Sequence, residues 1–95
     1  MIICDPVLII LNNMKVLYFA WIQSKTNIAE ERINNNSVKD INSLLKHLST
    51  KYPKLKKFIK QKNTIRIAVN FNYVTKNKKL KPKDEIALFP PVSGG

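Results

Sequence analysis

The chain has 95 residues, 44% of them hydrophobic, which is enough for one small domain around a single core. This length leaves no room for a second catalytic domain, so we do not expect a large multidomain enzyme. Seventeen lysines and arginines against six acidic residues give a formal net charge of +11. Such a charge indicates an anionic partner but does not identify it.

The cysteine and histidine content argues against disulfide and metal chemistry. Cys4 and His47 are the single residues of their types, too few for an internal disulfide or for the ligands of a structural zinc site. The apolar run 7–11 is far shorter than the roughly 20 residues that span a bilayer. We therefore expect a cytoplasmic protein that is not inserted in a membrane, with Cys4 acting as a small hydrophobic residue and not as a catalytic thiol.

Residues 1–13 differ from the rest of the chain and are predicted to be an N-terminal extension. Two interpretations stay open: an ordered segment laid against exposed apolar surface, or a loose tail that precedes a true start at Met14. The folded domain is predicted over 14–91, and residues 92–95 are predicted to form a flexible tail.

The first half of the domain predicts two strands and two helices. The segment 15–21 is nearly all apolar and is predicted to be a central strand covered on both faces. A polar turn over 23–27 should lead to a short second strand, 28–33. Ser37 and Asp40 have the spacing of a capping box and predict a helix start.

The apolar stripe of this helix and the proline that ends it are both visible in the sequence. The stripe has helical spacing and comprises Val38, Ile41, Leu44, Leu45 and Leu48. The helix should stop near Tyr52, because the residue before a proline disfavours helical angles. Pro53 is predicted to open a shorter helix with Leu55, Phe58 and Ile59 as its apolar residues and lysines facing water.

The second half predicts three more strands. Over 65–71 the apolar residues Ile65, Ile67, Val69 and Phe71 alternate with others, which is typical of a half-buried strand. A brief returning strand should cover 73–75, and Leu80 should be a lone apolar contact. The last strand is predicted over 85–89. The pattern therefore predicts an α+β fold in which about five strands pack on one main helix.

Both glycines of the chain stand together, at Gly94 and Gly95, whereas average usage of about 7% would predict roughly six or seven. Every internal turn must therefore form without glycine. A residue without a Cβ can thread a narrow channel and adopt angles closed to other residues. Pro90 and Pro91 precede the tail and should hold its base extended.

Three segments together resemble the small sulfur-carrier subunit of molybdopterin synthase, a family with the ubiquitin-like β-grasp fold. They are Lys15-Val16-Leu17-Tyr18-Phe19-Ala20, Ala68-Val69-Asn70, and the ending Asp84-Glu85-Ile86-Ala87-Leu88-Phe89-Pro90-Pro91-Val92-Ser93-Gly94-Gly95. The resemblance implies a mixed sheet whose first and last strands run parallel at its centre. Two features depart from the family: Gln23-Ser24-Lys25 replaces an Arg-Glu pair followed by glycine, and the charge is strongly basic.

The resemblance also implies a chemistry. An ATP-dependent activating enzyme would adenylate the carboxylate of Gly95, and sulfur would replace AMP to give a thiocarboxylate for transfer to a pterin precursor. The chain would then be the sulfur-donating subunit and not an enzyme alone, with no cofactor bound to itself. Its implied partners are the activating enzyme and the large catalytic subunit of molybdopterin synthase, in a heterotetramer.

An apolar docking patch beside the tail is implied as well. The candidate residues are Phe19, Val74 and Phe89, followed by the stem Pro90, Pro91, Val92 and Ser93, with Gly94 needed for threading. Because neighbouring strand residues point to opposite faces, Leu88 should face the helix and Phe89 the partner.

Other functions fit the same fold or the same charge. A Gly-Gly carrier can instead serve thiamine synthesis or transfer-RNA thiolation, or become attached to protein lysines. The lysine clusters 54–62 and 76–83 could bind nucleic acid, but they lack interleaved exposed aromatic residues, so this interpretation is disfavoured. His47 is expected to be solvated, and the acidic pairs 30–31 and 84–85 should alternate between faces.

Overall fold

The computed structural model describes residues 13–61 and 64–91. Eight elements follow one another in this part of the chain. They are β1 (Met14–Tyr18), α1 (Trp21–Thr26), β2 (Glu30–Ile33), α2 (Ile41–Lys51), α3 (Pro53–Lys60), β3 (Arg66–Val69), β4 (Asn72–Val74) and β5 (Glu85–Phe89).

The strands form one mixed sheet in the order β2-β1-β5-β3-β4. β1 and β5 are parallel, with Val16 opposite Ile86 and Tyr18 opposite Leu88, whereas the other neighbouring strands pair antiparallel. The predicted five-stranded mixed sheet with parallel first and last strands is therefore confirmed.

The core lies between one face of this sheet and the helices. Tyr18, Ile86 and Leu88 from the sheet are buried against Leu44 of α2 and Leu55 of α3. The prediction that the first strand is covered on both faces is wrong. Burial alternates along β1, because the helices cover only one side of the sheet.

The helix α1 replaces the end of the predicted first strand and the polar turn after it. Ala20, at φ 55° and ψ −136°, ends the extended course of the chain, and Trp21 starts a helix. Ile22 and Thr26 are four residues apart and are both buried, so they lie on the same face of the helix. The Thr26 hydroxyl donates to the carbonyl of Ile28 over 2.9 Å and stabilises the end of this helix.

The start of α2 differs from the prediction by three residues. Asp40, not Ser37, is the N-cap: its carboxylate accepts from the Ser43 backbone N–H at 2.8 Å. The Ser43 hydroxyl in turn accepts from the Asp40 N–H at 3.0 Å. Val38 is buried but precedes the helix. The helix ends at Lys51, as the proline at position 53 predicts, and Pro53 opens α3.

A two-residue turn joins β3 to β4. Val69 pairs with Asn72, and the intervening Asn70 and Phe71 both have positive φ, 51° and 70°, as a type I′ turn requires. Phe71 thus leaves the predicted alternation, and its side chain is 92% exposed. Placing it among the half-buried strand residues is therefore wrong. Asn70 also ties this turn to β5, since its Oδ1 accepts from the Glu85 N–H at 3.0 Å.

Candidate functional site

The sheet face opposite α2 and α3, called the open face below, carries a continuous apolar surface. The register places Leu17 of β1 beside Ala87 of β5, and Ala87 beside Ala68 of β3. These small side chains form the floor of a shallow concavity of about 360 Å³. Its apolar lining, called the apolar patch, comprises Leu17, Phe19, Ala68, Phe71, Ala87 and Phe89.

The rim of the apolar patch is aromatic and exposed. Phe19 is 48% exposed at the end of β1, and Phe71 extends from the β3–β4 turn. Tyr73 pairs with Ala68, and its ring centroid lies 6.4 Å from that of Phe89. Rings around a floor of alanines make a surface suited to a protruding apolar side chain of another protein.

The last strand separates its neighbouring residues as predicted. Leu88 is fully buried on the helix side, whereas Phe89 is half-buried and lines the apolar patch. The Phe19 N–H donates to the carbonyl of Leu88 over 3.1 Å, so β1 holds β5 up to the point where the chain leaves the sheet. Phe89 is therefore fixed directly beside the base of the tail.

Of the three predicted docking residues, the structure brings together two. Phe19 and Phe89 share the apolar patch, but Val74 pairs with Ile67 and packs against the core on the helix side. Tyr73 takes the corresponding place on the open face. The length of the turn Asn70-Phe71 determines which residues of β4 point to the open face. This turn is the sequence signal that distinguishes Tyr73 from Val74.

The tail leaves from one end of the sheet. Pro90 and Pro91 follow β5 directly and are half-buried, and neither has an N–H to continue the strand pairing. Val92, Ser93, Gly94 and Gly95 lie outside the described residues. Because β1 and β5 are parallel, Asn13 lies at the end of the sheet opposite Pro90, so residues 1–13 join the domain away from the tail.

Three polar side chains surround the carboxylate of Glu31 between the sheet and the helices, on the side of the sheet opposite the apolar patch. Glu31 of β2 accepts from the hydroxyls of Tyr18 and Tyr52, the latter at 2.5 Å, and from the Lys51 ammonium, also at 2.5 Å. Two rings of this cluster, Tyr18 and Tyr52, meet edge to face with centroids 5.9 Å apart. Glu31 was predicted to lie on the face opposite Glu30, but its partners Tyr18, Tyr52 and Lys51 were not predicted.

Hydrogen bonding decides the protonation of this cluster. Partial burial alone would raise the pKa of Glu31, but the hydrogen bonds from Lys51, Tyr18 and Tyr52 together outweigh it and hold that pKa below its usual value. Burial, followed by the bond to Glu31, raises the pKa of Tyr52 to about 12. The pKa of Tyr18 is raised for the same two reasons. The carboxylate is thus charged and both phenols are neutral near neutral pH, which is a structural arrangement.

His47 and Cys4 are the remaining candidates from the sequence. His47 is half-buried rather than solvated, and its Nδ1 lies 3.4 Å from the amide nitrogen of Asn35. Cys4 lies outside the described residues. Within 13–61 and 64–91, no group of three His, Cys, Asp or Glu side chains could hold a metal ion. No helix in the same ranges is long and apolar enough to cross a membrane.

The chain is similar in sequence to known proteins. Residues 16–95 match the model of the ThiS family. The molybdopterin synthase sulfur carrier subunit of Arabidopsis thaliana is 29% identical over 82 residues, which cover 86% of this chain and 82% of that protein.

Two solved structures are also similar. The small archaeal modifier protein 1 of Methanosarcina acetivorans is 30% identical with a TM-score of 0.72, over 87% of this chain and 96% of the other. A complex of subunits 1 and 2 of the molybdopterin-converting factor of Helicobacter pylori 26695 matches at 25% identity and a TM-score of 0.59, over 87% of this chain and 99% of the other.

These likenesses confirm that the sheet and its helices form the predicted ubiquitin-like fold. The family match spans most of the chain and extends through Gly95. The chain belongs to the ThiS family.

Proposed function

We propose that this protein is a sulfur carrier in molybdenum cofactor biosynthesis, the small subunit of molybdopterin synthase. The observation that carries the proposal is the exit of the chain from β5: Phe89 on the apolar patch, then Pro90 and Pro91, then four further residues ending in Gly94-Gly95. The Arabidopsis relative, described as a sulfur carrier subunit, supports the assignment.

The proposed reactions take place at the carboxylate of Gly95. A free carboxylate is a poor electrophile with no good leaving group, so an oxygen of Gly95 first attacks the α-phosphate of ATP and pyrophosphate leaves. Hydrosulfide then attacks the carbonyl carbon of the acyl-adenylate and loses its proton, and AMP leaves with the bonding electrons, which gives a thiocarboxylate. The thiocarboxylate sulfur then bonds to the pterin precursor, and water cleaves the acyl–sulfur bond so that the carboxylate of Gly95 returns. ATP is bound by the activating enzyme and not by this chain.

The tail residues fit this task sterically. The reacting carbon must reach two enzyme active sites in turn, and Gly94 and Gly95 offer no Cβ to clash with a narrow channel. Pro90 and Pro91 restrict the backbone at the base of the tail, which lowers the entropy lost when the tail is inserted. Val92 and Ser93 link the rigid base to the slim tip.

The apolar patch is proposed to dock on the large catalytic subunit. Phe19 and Phe89 flank its alanine floor, and aromatic side chains are typical anchors of protein interfaces. The Helicobacter complex of subunits 1 and 2 supports a partner of this kind. Docking through the open face would deliver the tail, since Phe89 is the last strand residue before it.

A transfer assay tests this function. The full chain, prepared chemically with a C-terminal thiocarboxylate, is mixed with the large subunit and the pterin precursor, and its intact mass is followed. We expect the thiocarboxylate to return to a carboxylate only when both components are present. Retention of sulfur in the complete mixture contradicts the proposal.

Protein modification is a second candidate, favoured by the likeness to small archaeal modifier protein 1. The same acyl-adenylate could be attacked by a lysine amine, so that an amide forms and AMP leaves. Denaturing gels of the activated chain with cell extract distinguish the two functions, because only a modifier gives conjugates that resist thiol reagents and boiling.

A further inference from the structure

Among the described residues, lysines are concentrated on the surface of the helix side. Helix α3 carries Lys54, Lys56, Lys57 and Lys60, and Lys25 of α1 lies beside it. Neither helix contains an aspartate or a glutamate. Among the described residues, the ion pairs of the chain involve only Lys15 and Lys51.

These lysines line a continuous depression and not separate spots. A shallow concavity of about 460 Å³ next to Lys25 shares Pro53, Lys56 and Lys60 with a second one of about 720 Å³ over α2. The second shares Asn42 and Leu45 with a third that reaches the segment after β4. Six lysines along this course, called the basic track, are Lys25, Lys46, Lys56, Lys57, Lys60 and Lys76; Lys54 also lines the first concavity and Arg66 the third.

An aromatic side chain organises one end of the basic track. The ammonium groups of Lys25 and Lys57 lie 5.4 Å and 5.1 Å from the centroid of the Phe58 ring. Trp21 packs on the same ring with a centroid distance of 4.9 Å. Cation–π attraction thus holds two positive charges near each other against their repulsion.

We propose that the basic track binds the phosphodiester backbone of a nucleic acid. An elongated row of point charges matches a linear polyanion, and lysine binds phosphate in this way. An acidic protein surface fits less well, because protein interfaces are depleted in lysine. Phe58 is already covered by Trp21 and two lysines, so no free ring is offered to a base, and binding is independent of sequence.

The basic track and the tail chemistry use different sides of the molecule. All of these lysines except Lys76 lie on the helices, whereas the apolar patch lies on the open face of the sheet. The third concavity alone reaches the edge strand, where Tyr73 lines it. A nucleic acid on the helix part of the basic track therefore leaves Phe89 accessible. The inference is independent of the proposed sulfur transfer, and either can fail without the other.

Fluorescence anisotropy of labelled RNA and DNA oligonucleotides, single- and double-stranded, tests this inference with the full chain. We expect binding at low salt that weakens linearly in log–log plots against salt concentration. Changing Lys56, Lys57 and Lys60 together to Gln should lower affinity about ten-fold or more and reduce the salt slope by about 2, since each phosphate contact contributes about 0.7 to 0.9. Glutamine keeps the helix propensity of these positions.

A second triple variant controls for net charge. Lys39, Lys81 and Lys83 are exposed residues away from the basic track, and changing them to Gln removes the same charge. We expect this control to retain most of the affinity. Any one of three results overturns the proposal. They are no binding at low salt, an equal loss of affinity in the two variants, and equally tight binding of polyglutamate.

Discussion

Leu88 and Phe89 are neighbours in the chain, but the sheet separates their surroundings. Leu88 is 0% exposed and contacts the core, whereas Phe89 lines the apolar patch on the opposite face. The free energy of folding should depend on the first residue, and the free energy of partner binding should depend on the second.

Replacing each of the two residues by alanine tests this division. Leu88→Ala should lower the free energy of unfolding by about 3 kcal/mol, because it leaves a cavity in the core. Phe89→Ala should cost about 1 kcal/mol of stability, since its side chain is only partly buried, while weakening binding to the large subunit of molybdopterin synthase by more. Urea unfolding and calorimetric titration measure the two quantities. A Phe89→Ala variant that unfolds as easily as Leu88→Ala and still binds the large subunit would assign Phe89 to the core.

The pH dependence of the free energy of unfolding should report the protonation state of Glu31. Its pKa is below the usual value of 4.5, so its contribution is present above about pH 4.5 and is lost as the pH falls through its lowered pKa. Both tyrosine pKa values are raised from 10. Their contribution is therefore present below about pH 10 and is lost as the pH rises above it.

Stability should therefore fall at both ends of the pH range, in an acid limb below about pH 4.5 and an alkaline limb above about pH 10. Substituting Glu31 by Gln should separate these two limbs. We expect a loss of about 1 to 3 kcal/mol near neutral pH, because buried hydrogen-bond partners lose a charged acceptor. The variant should lose less stability than the parent on acidification below pH 4.5. The alkaline limb should largely remain, since burial is the first cause of the tyrosine shifts. Urea unfolding across pH measures this, and an unchanged acid limb would show that another carboxylate governs it.

The exposed residue Glu30 provides the matched control. It pairs with Lys15 at 3.6 Å on the surface, and such pairs contribute about 0 to 1 kcal/mol. Glu30→Gln should therefore leave both limbs nearly unchanged.

At the scale of elements, the chain makes its turns without glycine. Among the described residues, the non-glycine residues with positive φ are Ala20, Asn27, Asn70, Phe71 and Lys83. Asparagine tolerates this region, but a bulky residue such as Phe71 is strained there. Strain at an exposed aromatic residue that lines the apolar patch is consistent with selection for binding rather than for folding.

Phe71→Gly should therefore stabilise the fold while it weakens docking. We expect a gain of about 0.5 to 1 kcal/mol, because glycine is favoured at the second position of a type I′ turn. Phe71→Asn, which also tolerates positive φ, should show a smaller gain. Thermal unfolding and binding to the large subunit give the two readouts. A loss of stability in both variants would mean that the Phe71 side chain packs on the sheet in solution.

Strand positions were predicted better than helix boundaries, for physical reasons. The period-2 pattern and the prolines located β5 within its observed bounds, because strand burial is set by one face of the sheet. The N-cap of α2 was placed at Ser37, since Ser37 and Asp40 have the spacing that Asp40 and Ser43 in fact use. The helix α1 was missed because only two of its six residues are buried, which leaves a polar pattern similar to that of a turn.

At the scale of the whole molecule, the parallel pairing of β1 and β5 determines what the sheet can present. It brings Leu17 and Phe19 beside Ala87 and Phe89, although the two pairs are about 70 residues apart in sequence. It also sends the tail out at the end of the sheet opposite Asn13. The basic track occupies the remaining helix side.

Part of this arrangement could be predicted from the sequence. Phe89 followed from strand alternation and Phe19 from the resemblance of its segment. Val74 was predicted as a docking residue in place of Tyr73, because the face to which each residue of β4 points depends on the two-residue turn before it. The sequence showed the lysine clusters 54–62 and 76–83, and nucleic-acid binding by them was disfavoured. It could not show that Lys25 and Lys46 lie beside α3, because this depends on the packing of α1 and α2.

The proposed function requires the domain to present the carboxylate of Gly95 for loading by another enzyme. The most direct measurement compares the intact mass of the full chain and of a variant lacking Gly95 after incubation with ATP, a sulfur source and the activating enzyme. We expect the full chain to gain the mass of one oxygen-to-sulfur exchange in its C-terminal peptide. The shortened chain should unfold at the same temperature and gain nothing. Equal loading of both chains, or a mass gain located at Cys4, would contradict the account.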